Sequence, residues 1–294
     1  MDVLTPENTV IGFIGIGVMG KSMAGHLQKA GFPLVVYTRT KEKAADLLES
    51  GAEWANSPKE VAQNANVVFT IVGYPYDVEE TYLGENGLIA NGKQGSYFID
   101  MTTSSPSLAV KISTEAKKHQ IHTIDAPVSG GDIGARDAKL SIMVGGEEEA
   151  FTDVLPLLQK LGTNIVYQGK AGSGQHTKMA NQIAIASNMI GVTEAIIYAE
   201  KAGLNPDTVL KSISSGAAGS WSLSNLVPRM LKGDFDPGFY IKHFIKDMKI
   251  ALDEAEQMGM EAPGLSLSKS IYDQLAEKGE ENNGTQAIYK YWKD

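Results

Sequence analysis

The stretch from residue 9 to residue 37 constrains this chain more than any other. Thr9-Val-Ile-Gly-Phe-Ile14 is an apolar run of buried-strand type that passes directly into Gly15-Ile16-Gly17-Val18-Met19-Gly20. A helical pattern then continues to Ala30, Gly31 closes it, and a second apolar run extends from Leu34 to Tyr37. Strand, glycine turn, helix and strand inside about 30 residues make a βαβ unit of the dinucleotide-binding kind. The three glycines have separate physical uses: a tight turn, a backbone that a pyrophosphate can approach, and close packing of helix on strand. Residues 15–20 are therefore expected to present helix-terminal amides to an anion.

In NAD-binding units an acidic residue about 20 positions on, at the end of the second strand, takes the ribose 2′-hydroxyl. Here the chain reads Thr38-Arg39-Thr40, with Lys43 one helical turn beyond Arg39. A guanidinium fork matches phosphate oxygens, and the usual carboxylate is missing. The pocket is expected to prefer the 2′-phosphate of NADP, with NAD as the alternative.

Further strand-like runs occur at 67–72, 97–100, 122–125, 140–144 and 164–167, separated by helical patterns such as 107–118 and 147–161. This alternation predicts a mainly parallel sheet, in which ligands sit beyond the carboxyl ends of the strands. The rule directs attention to Val72-Gly73-Tyr74, to Thr102-Thr103-Ser104 and to residues 126–131. From Ser173 to Ala202 a helical pattern persists for about 30 residues, roughly 45 Å at 1.5 Å per residue. It is apolar all round, which predicts burial between domains or against another subunit. Helical patterns follow at 206–214, 221–231, 241–258, 265–278 and 286–292, and no strand pattern remains. The expected architecture is an α/β N-terminal Rossmann-type domain over 1–170 and an all-α C-terminal domain over 171–294, joined by a long interdomain helix. A homodimer or homotetramer is expected.

Where the two halves meet, Lys178, Asn181 and Gln182 stand three and four residues apart, on one face of the long helix, where they can hold a small polar molecule. Composition narrows what that molecule is not. A net charge of −9 opposes non-specific attraction to nucleic acid or anionic lipid. The chain has no cysteine, which removes thiolate metal sites and a thiol nucleophile. Histidines at 26, 119, 122, 176 and 243 show no metal-ligand spacing, so no metal is expected. The first residues lack a basic targeting region, and no run reaches about 18 uninterrupted apolar residues. The expectation is a cytoplasmic protein with no membrane or nucleic-acid partner. Trp221, Phe235, Phe239 and Tyr240 read as core rather than as pocket wall.

Five motifs in order carry a resemblance. They are residues 13–27 around the glycine turn, Asp100-Met-Thr-Thr-Ser-Ser-Pro106, Asp125-Ala-Pro-Val-Ser-Gly-Gly131, residues 169–182, and Lys246-Asp-Met-Lys-Ile-Ala-Leu-Asp253. Over nearly its whole length the chain resembles the β-hydroxyacid dehydrogenase family, the 3-hydroxyisobutyrate dehydrogenase and tartronate semialdehyde reductase group. The resemblance implies reversible hydride transfer between NAD(P) and a short 3-hydroxy acid or its semialdehyde. It implies that Lys178 is the catalytic acid and base, that Ser129, Gly130 and Gly131 receive the substrate carboxylate, and that Asn181, Gln182 and Lys246 also touch substrate. It further implies cofactor contacts from Val72, Gly73, Tyr74, Thr103, Lys246 and Asp247. Lys178 and Asn181 are expected at the cleft between the domains, facing the Ser129–Gly131 loop. Tyr74 departs from the family pattern, which has a proline there. An imine reductase shares this architecture but typically lacks the lysine; a catalytically silent NADP-binding module is the reading from another class.

Overall fold

The computed structural model describes residues 4–293, and two compact units divide between Lys178 and Met179, inside one helix. In the first unit the βαβ pattern becomes β1 (Ile11–Ile14), α1 (Val18–Lys29) and β2 (Leu34–Tyr37), followed by α2 (Ala45–Glu49), β3 (Glu53–Trp54) and α3 (Pro58–Asn64). Next come β4 (Val67–Thr70), α4 (Pro75–Leu83), α5 (Leu88–Asn91), β5 (Tyr97–Asp100), α6 (Pro106–Lys118) and β6 (His122–Asp125). The order β3-β2-β1-β4-β5-β6 is parallel throughout, so every strand needs a crossover and the sheet is covered on both faces.

Alternation along each strand feeds two separate cores. Ile11, Phe13, Val67, Phe69, Tyr97 and Ile99 belong to one, while Ile14, Val68 and Phe98 belong to the other. Phe13 and Phe69 stack with ring centroids 6.0 Å apart, one cross-strand contact of the first core. Helix α3 lies close on the opposite face, where a Cβ at Gly12 would come within 2.4 Å of Val61 Cγ1.

Beyond β6 the sheet stops being parallel. β7 (Val128–Ser129), α7 (Gly131–Arg136), β8 (Leu140–Gly146), α8 (Glu148–Leu158) and β9 (Gly162–Gly169) complete it. β8 runs antiparallel to β6 and to β7, and parallel to β9. β3 and β7, two residues each, were not expected from the sequence, because so short a strand shows no period.

Helix α9 (Ser173–Lys201) leads into the second unit, which holds α10 (Pro206–Ile213), α11 (Trp221–Asn225), α12 (Val227–Leu231), α13 (Ile241–Gln257) and α14 (Pro263–Glu277). A 3₁₀ helix, Thr285–Trp292, replaces the α-helix expected at the end. Among the described residues no strand follows Gly169; one isolated bridge joins Tyr240 and Gly284. The single helix expected over 221–231 is broken at Leu226, two residues before Pro228, which has no N–H to continue the ladder.

By length and composition α9 is apolar enough to cross a membrane. Its packing accounts for that: Ala186, Met189, Ile190, Val192, Ile196 and Ile197 belong to the core of the helical unit with Phe244, Met248 and Tyr272. It is not buried all round, because Ala184, Ser187, Gly191, Glu194 and Tyr198 form an exposed stripe. Of the four aromatics, Phe235 and Phe239 pack against this core, whereas Trp221 is 63% exposed.

Candidate active site

The glycine turn at the carboxyl end of β1 has the geometry its sequence calls for. Gly15 takes φ +99°, and a Cβ there would lie 2.1 Å from the Ile71 carbonyl oxygen. A Cβ on Gly20 would lie 1.9 Å from the Gly15 carbonyl oxygen, so α1 can sit this close to β1 only with glycine. Gly17 differs, because a Cβ built on it meets nothing within 4 Å. It is the N-cap of α1 and supplies no side-chain cap, and the first turn contains no acidic residue. Amides of the first turn therefore have no side-chain cap and no carboxylate of their own turn to bond to, while open space lies over Gly17, which fits a pyrophosphate. Ile16 is buried, Met19 is half-buried and Val18 is exposed.

At the end of β2, Thr38 is half-buried, and Arg39 and Thr40 are exposed. Arg39 does not belong to a helix: a 3₁₀ turn, Lys41–Ala44, starts after it with Thr40 as N-cap. Lys43, expected one helical turn beyond Arg39, lies instead in that separate turn, its amide bonded to the Thr40 carbonyl at 3.1 Å. Extended backbone at Thr40 breaks the periodicity that the spacing suggested. Arg39 Nη1 reaches Asp77 Oδ1 at 3.4 Å, with the arginine side chain 76% exposed. The other oxygen of Asp77 accepts from the Tyr74 amide at 3.0 Å, so one carboxylate caps α4 and neighbours the guanidinium. Tyr74 thus starts a helix, and its ring stacks on Tyr76 at 5.3 Å.

The ends of β4, β5 and β6 are tied to the start of α9 by a buried set of hydrogen bonds that sequence reasoning missed. Val72 donates its amide to Thr102 Oγ1 at 3.0 Å, and the Thr102 amide donates to Asp100 Oδ1 at 3.0 Å. Gln175, fully buried, accepts from the Ser104 amide at 2.9 Å and donates to the Thr102 carbonyl at 2.7 Å. Asp125 accepts from the amides of Gly172 at 2.8 Å and Gln175 at 2.9 Å, capping the approach to α9. The fit is tight enough that a Cβ on Gly174 would lie 2.4 Å from the Met143 carbonyl oxygen. Thr103, between these anchors, is half-buried, and Ser104 Oγ is buried without a hydrogen-bond partner among the described residues. One turn beyond Gln175, Lys178 is only 6% exposed.

The Ser129 loop lies in the same unit. Ser129 pairs with Ser141 in the β7–β8 ladder, after which Gly130 and Gly131 take φ +130° and +63°. Two successive residues in that region require glycine and turn the chain sharply.

In the helical unit, Asn181 Nδ2 donates to Gln182 Oε1 at 2.7 Å, and Gln182 Nε2 donates to Asp247 Oδ2 at 2.7 Å. Lys246 Nζ lies 3.0 Å from Asp247 Oδ1, in an ion pair whose side chains are 11% and 1% exposed. Asn181, Gln182, Asp247 and Lys246 therefore form one connected chain. Both ends of the Gln182 amide are engaged within the protein. Among the described residues no group of three or more His, Asp or Glu is placed to hold a metal ion.

Comparison with known proteins covers both units. Residues 10–169 match the family described as the NAD binding domain of 6-phosphogluconate dehydrogenase. Residues 172–292 match the family described as the NAD-binding domain of NADP-dependent 3-hydroxyisobutyrate dehydrogenase. The uncharacterized oxidoreductase YkwC of Bacillus subtilis is 65% identical over 96% of this chain and 98% of its own. A probable mitochondrial 3-hydroxyisobutyrate dehydrogenase-like protein of Arabidopsis thaliana is 50% identical over 98% of this chain and 86% of its own. Among solved structures, 3-hydroxyisobutyrate dehydrogenase of Mycobacterium tuberculosis with L-serine superposes with a TM-score of 0.89 at 29% identity, covering 97% of this chain and 99% of that one.

Proposed function

The chain belongs to the β-hydroxyacid dehydrogenase family, nicotinamide-dependent oxidoreductases acting on CH–OH groups, and on that premise we propose that it is an NADP-preferring enzyme for a short 3-hydroxy acid or its semialdehyde, with Lys178 as general acid and base. The observation that supports this most is a buried lysine at the start of α9, one turn from the network that ties α9 to the cofactor-side strand ends.

Gly15, Gly17 and Gly20 hold the pyrophosphate of the cofactor, with Ile16, Val18 and Met19 beside it. Arg39 takes the 2′-phosphate, aided by Thr38, Thr40 and Lys43. Its contact with Asp77 is long and exposed, worth little, so the fork can turn to a phosphate. Val72, Gly73, Tyr74 and Thr103 flank the nicotinamide side. When bound, nicotinamide supplies or accepts the hydride. Lys178 donates a proton to the carbonyl oxygen as negative charge develops there during reduction, and takes it back in the oxidation direction. Ser129, Gly130 and Gly131 receive the substrate carboxylate, and Asn181 orients the substrate. Gln182 and Asp247 hold Asn181 and Lys246 in place, so their part is indirect.

A panel of 3-hydroxyisobutyrate, L-serine and short semialdehydes, each assayed with NADP and NAD, tests the reading. L-serine enters because it accompanies the mycobacterial enzyme. Lys178→Ala is expected to lower turnover by about 10²-fold or more while NADPH binding persists. Turnover of none of the panel would favour a silent binding module, and an active Lys178→Ala variant would remove the general-acid assignment.

A further inference from the structure

Gln175 is the residue at which the start of α9 meets both the loop after β5, through its side chain, and the end of β6, through its backbone amide. Its side-chain carbonyl oxygen accepts from the Ser104 amide and its side-chain nitrogen donates to the Thr102 carbonyl. Its own backbone amide donates to Asp125 at the end of β6. Thr102 in turn receives the Val72 amide, so the chain of bonds runs from α9 through the loop after β5 to the loop after β4. A glutamine is suited to this because it accepts and donates at two points a fixed distance apart. Lys178 follows three residues later, on the same face of α9 and about 4.5 Å along the axis.

We propose that Gln175 is a positioning residue that fixes the register of Lys178 against the cofactor-side loops at Val72 and Thr102–Ser104. The proposal rests on Lys178 being the general acid. General acid catalysis depends on placement, and a shift of about 1 Å costs on the order of 10²-fold. Without the two amide bonds, α9 remains held at Asp125 but loses both side-chain bonds from Gln175 to the loop after β5.

Two substitutions separate positioning from mere stability. Gln175→Leu keeps the approximate volume and removes both bonds. Its kcat, per folded molecule, is expected to fall about 10- to 10²-fold with substrate KM changed much less. In the cofactor-free protein, hydrogen exchange of the segment containing the Ser104 amide should accelerate, because that amide loses its acceptor. Gln175→Glu keeps the acceptor for Ser104 in either protonation state but donates to the Thr102 carbonyl only when protonated. The introduced carboxyl lies in a cluster that already holds the buried carboxylates Asp100 and Asp125. Lys178, one turn away on the same face, opposes them and favours the ionised form, so Gln175→Glu is expected to show a kcat deficit with Ser104 protection retained, the reverse of a general loosening.

Wild-type kcat in Gln175→Leu, unchanged Ser104 exchange in Gln175→Leu, or lost Ser104 protection in Gln175→Glu would each overturn the proposal. These results are distinguishable from failure of the Lys178 assignment. An active Lys178→Ala variant removes that assignment, whereas the exchange measurement on cofactor-free protein reports on Gln175 whether or not Lys178 transfers the proton.

Discussion

Asp125→Asn is the substitution whose outcome the structure constrains most tightly. Burial pushes the Asp125 carboxyl from its ordinary 3.8 up to about 6, opposed by the amides of Gly172 and Gln175 and assisted by neighbouring Asp100. A folded value above the unfolded one means that the folded protein binds the extra proton between the two. Stability therefore falls as pH rises from about 4 to about 6, and the contribution lost by neutral pH is ~3 kcal/mol. Asparagine abolishes that titration. It also turns an NH₂ group towards one of two amide donors that the carboxylate satisfied at 2.8 and 2.9 Å. That donor–donor pair costs ~1–3 kcal/mol at any pH. At about pH 7.5 the two effects nearly cancel, whereas at about pH 4.5 the cost of the mispaired amide dominates. Urea unfolding of the cofactor-free protein across this range measures the difference between variant and parent, in which carboxylates remote from Asp125 cancel. The variant should gain ~2–3 kcal/mol on its parent between the two ends. A difference that stays flat with pH would refute the reasoning.

Four further outcomes follow from the cofactor half of the site. Gly17→Ala should fold with a loss below about 1 kcal/mol but bind NADPH much more weakly, because its methyl enters the space over the helix start. Gly20→Ala should lower stability by ~1–3 kcal/mol, since its Cβ meets the Gly15 carbonyl, and thermal unfolding with NADPH titration separates the two cases. Arg39→Ala should lower kcat/KM for NADPH far more than for NADH, and an unchanged ratio would remove the NADP preference. Asp77→Asn keeps an oxygen for the Tyr74 amide but frees Arg39 of a competing charge, so NADPH should bind about two- to fivefold tighter at low salt.

Much of the nucleotide-binding half is legible in the residues because its signals are local. The strands at 34–37, 97–100 and 122–125 coincide with the sequence runs; the first two are buried over nearly their whole length, as strands covered on both faces are, whereas His122 and Thr123 of the third are only half-buried. Gly15 and Gly20 are read in the same way, each required by backbone close to it, whereas a Cβ on Gly17 meets nothing within 4 Å and its reading comes from the motif alone. The reading of Lys43 as one helical turn beyond Arg39 failed because a single extended residue, Thr40, resets the period. The break between α11 and α12 was within reach of the sequence, as Pro228 marks it.

The sequence alone determined the βαβ order and the change to an all-helical second half, and it singled out Lys178 as the candidate for the proton transfer proposed above. Tertiary structure decided how these are held. Gln175 lies in the stretch that the sequence singles out, but its partners Ser104 and Thr102 are 71 and 73 positions away. Asp125 reads as the last residue of a strand until folding brings the Gly172 and Gln175 amides to it. Spacing reports neighbours within a helix or a strand, where covalent geometry fixes the distance. Contacts across elements depend on how the sheet and helices pack, and that arrangement exists only once the cores on both faces of the sheet have closed.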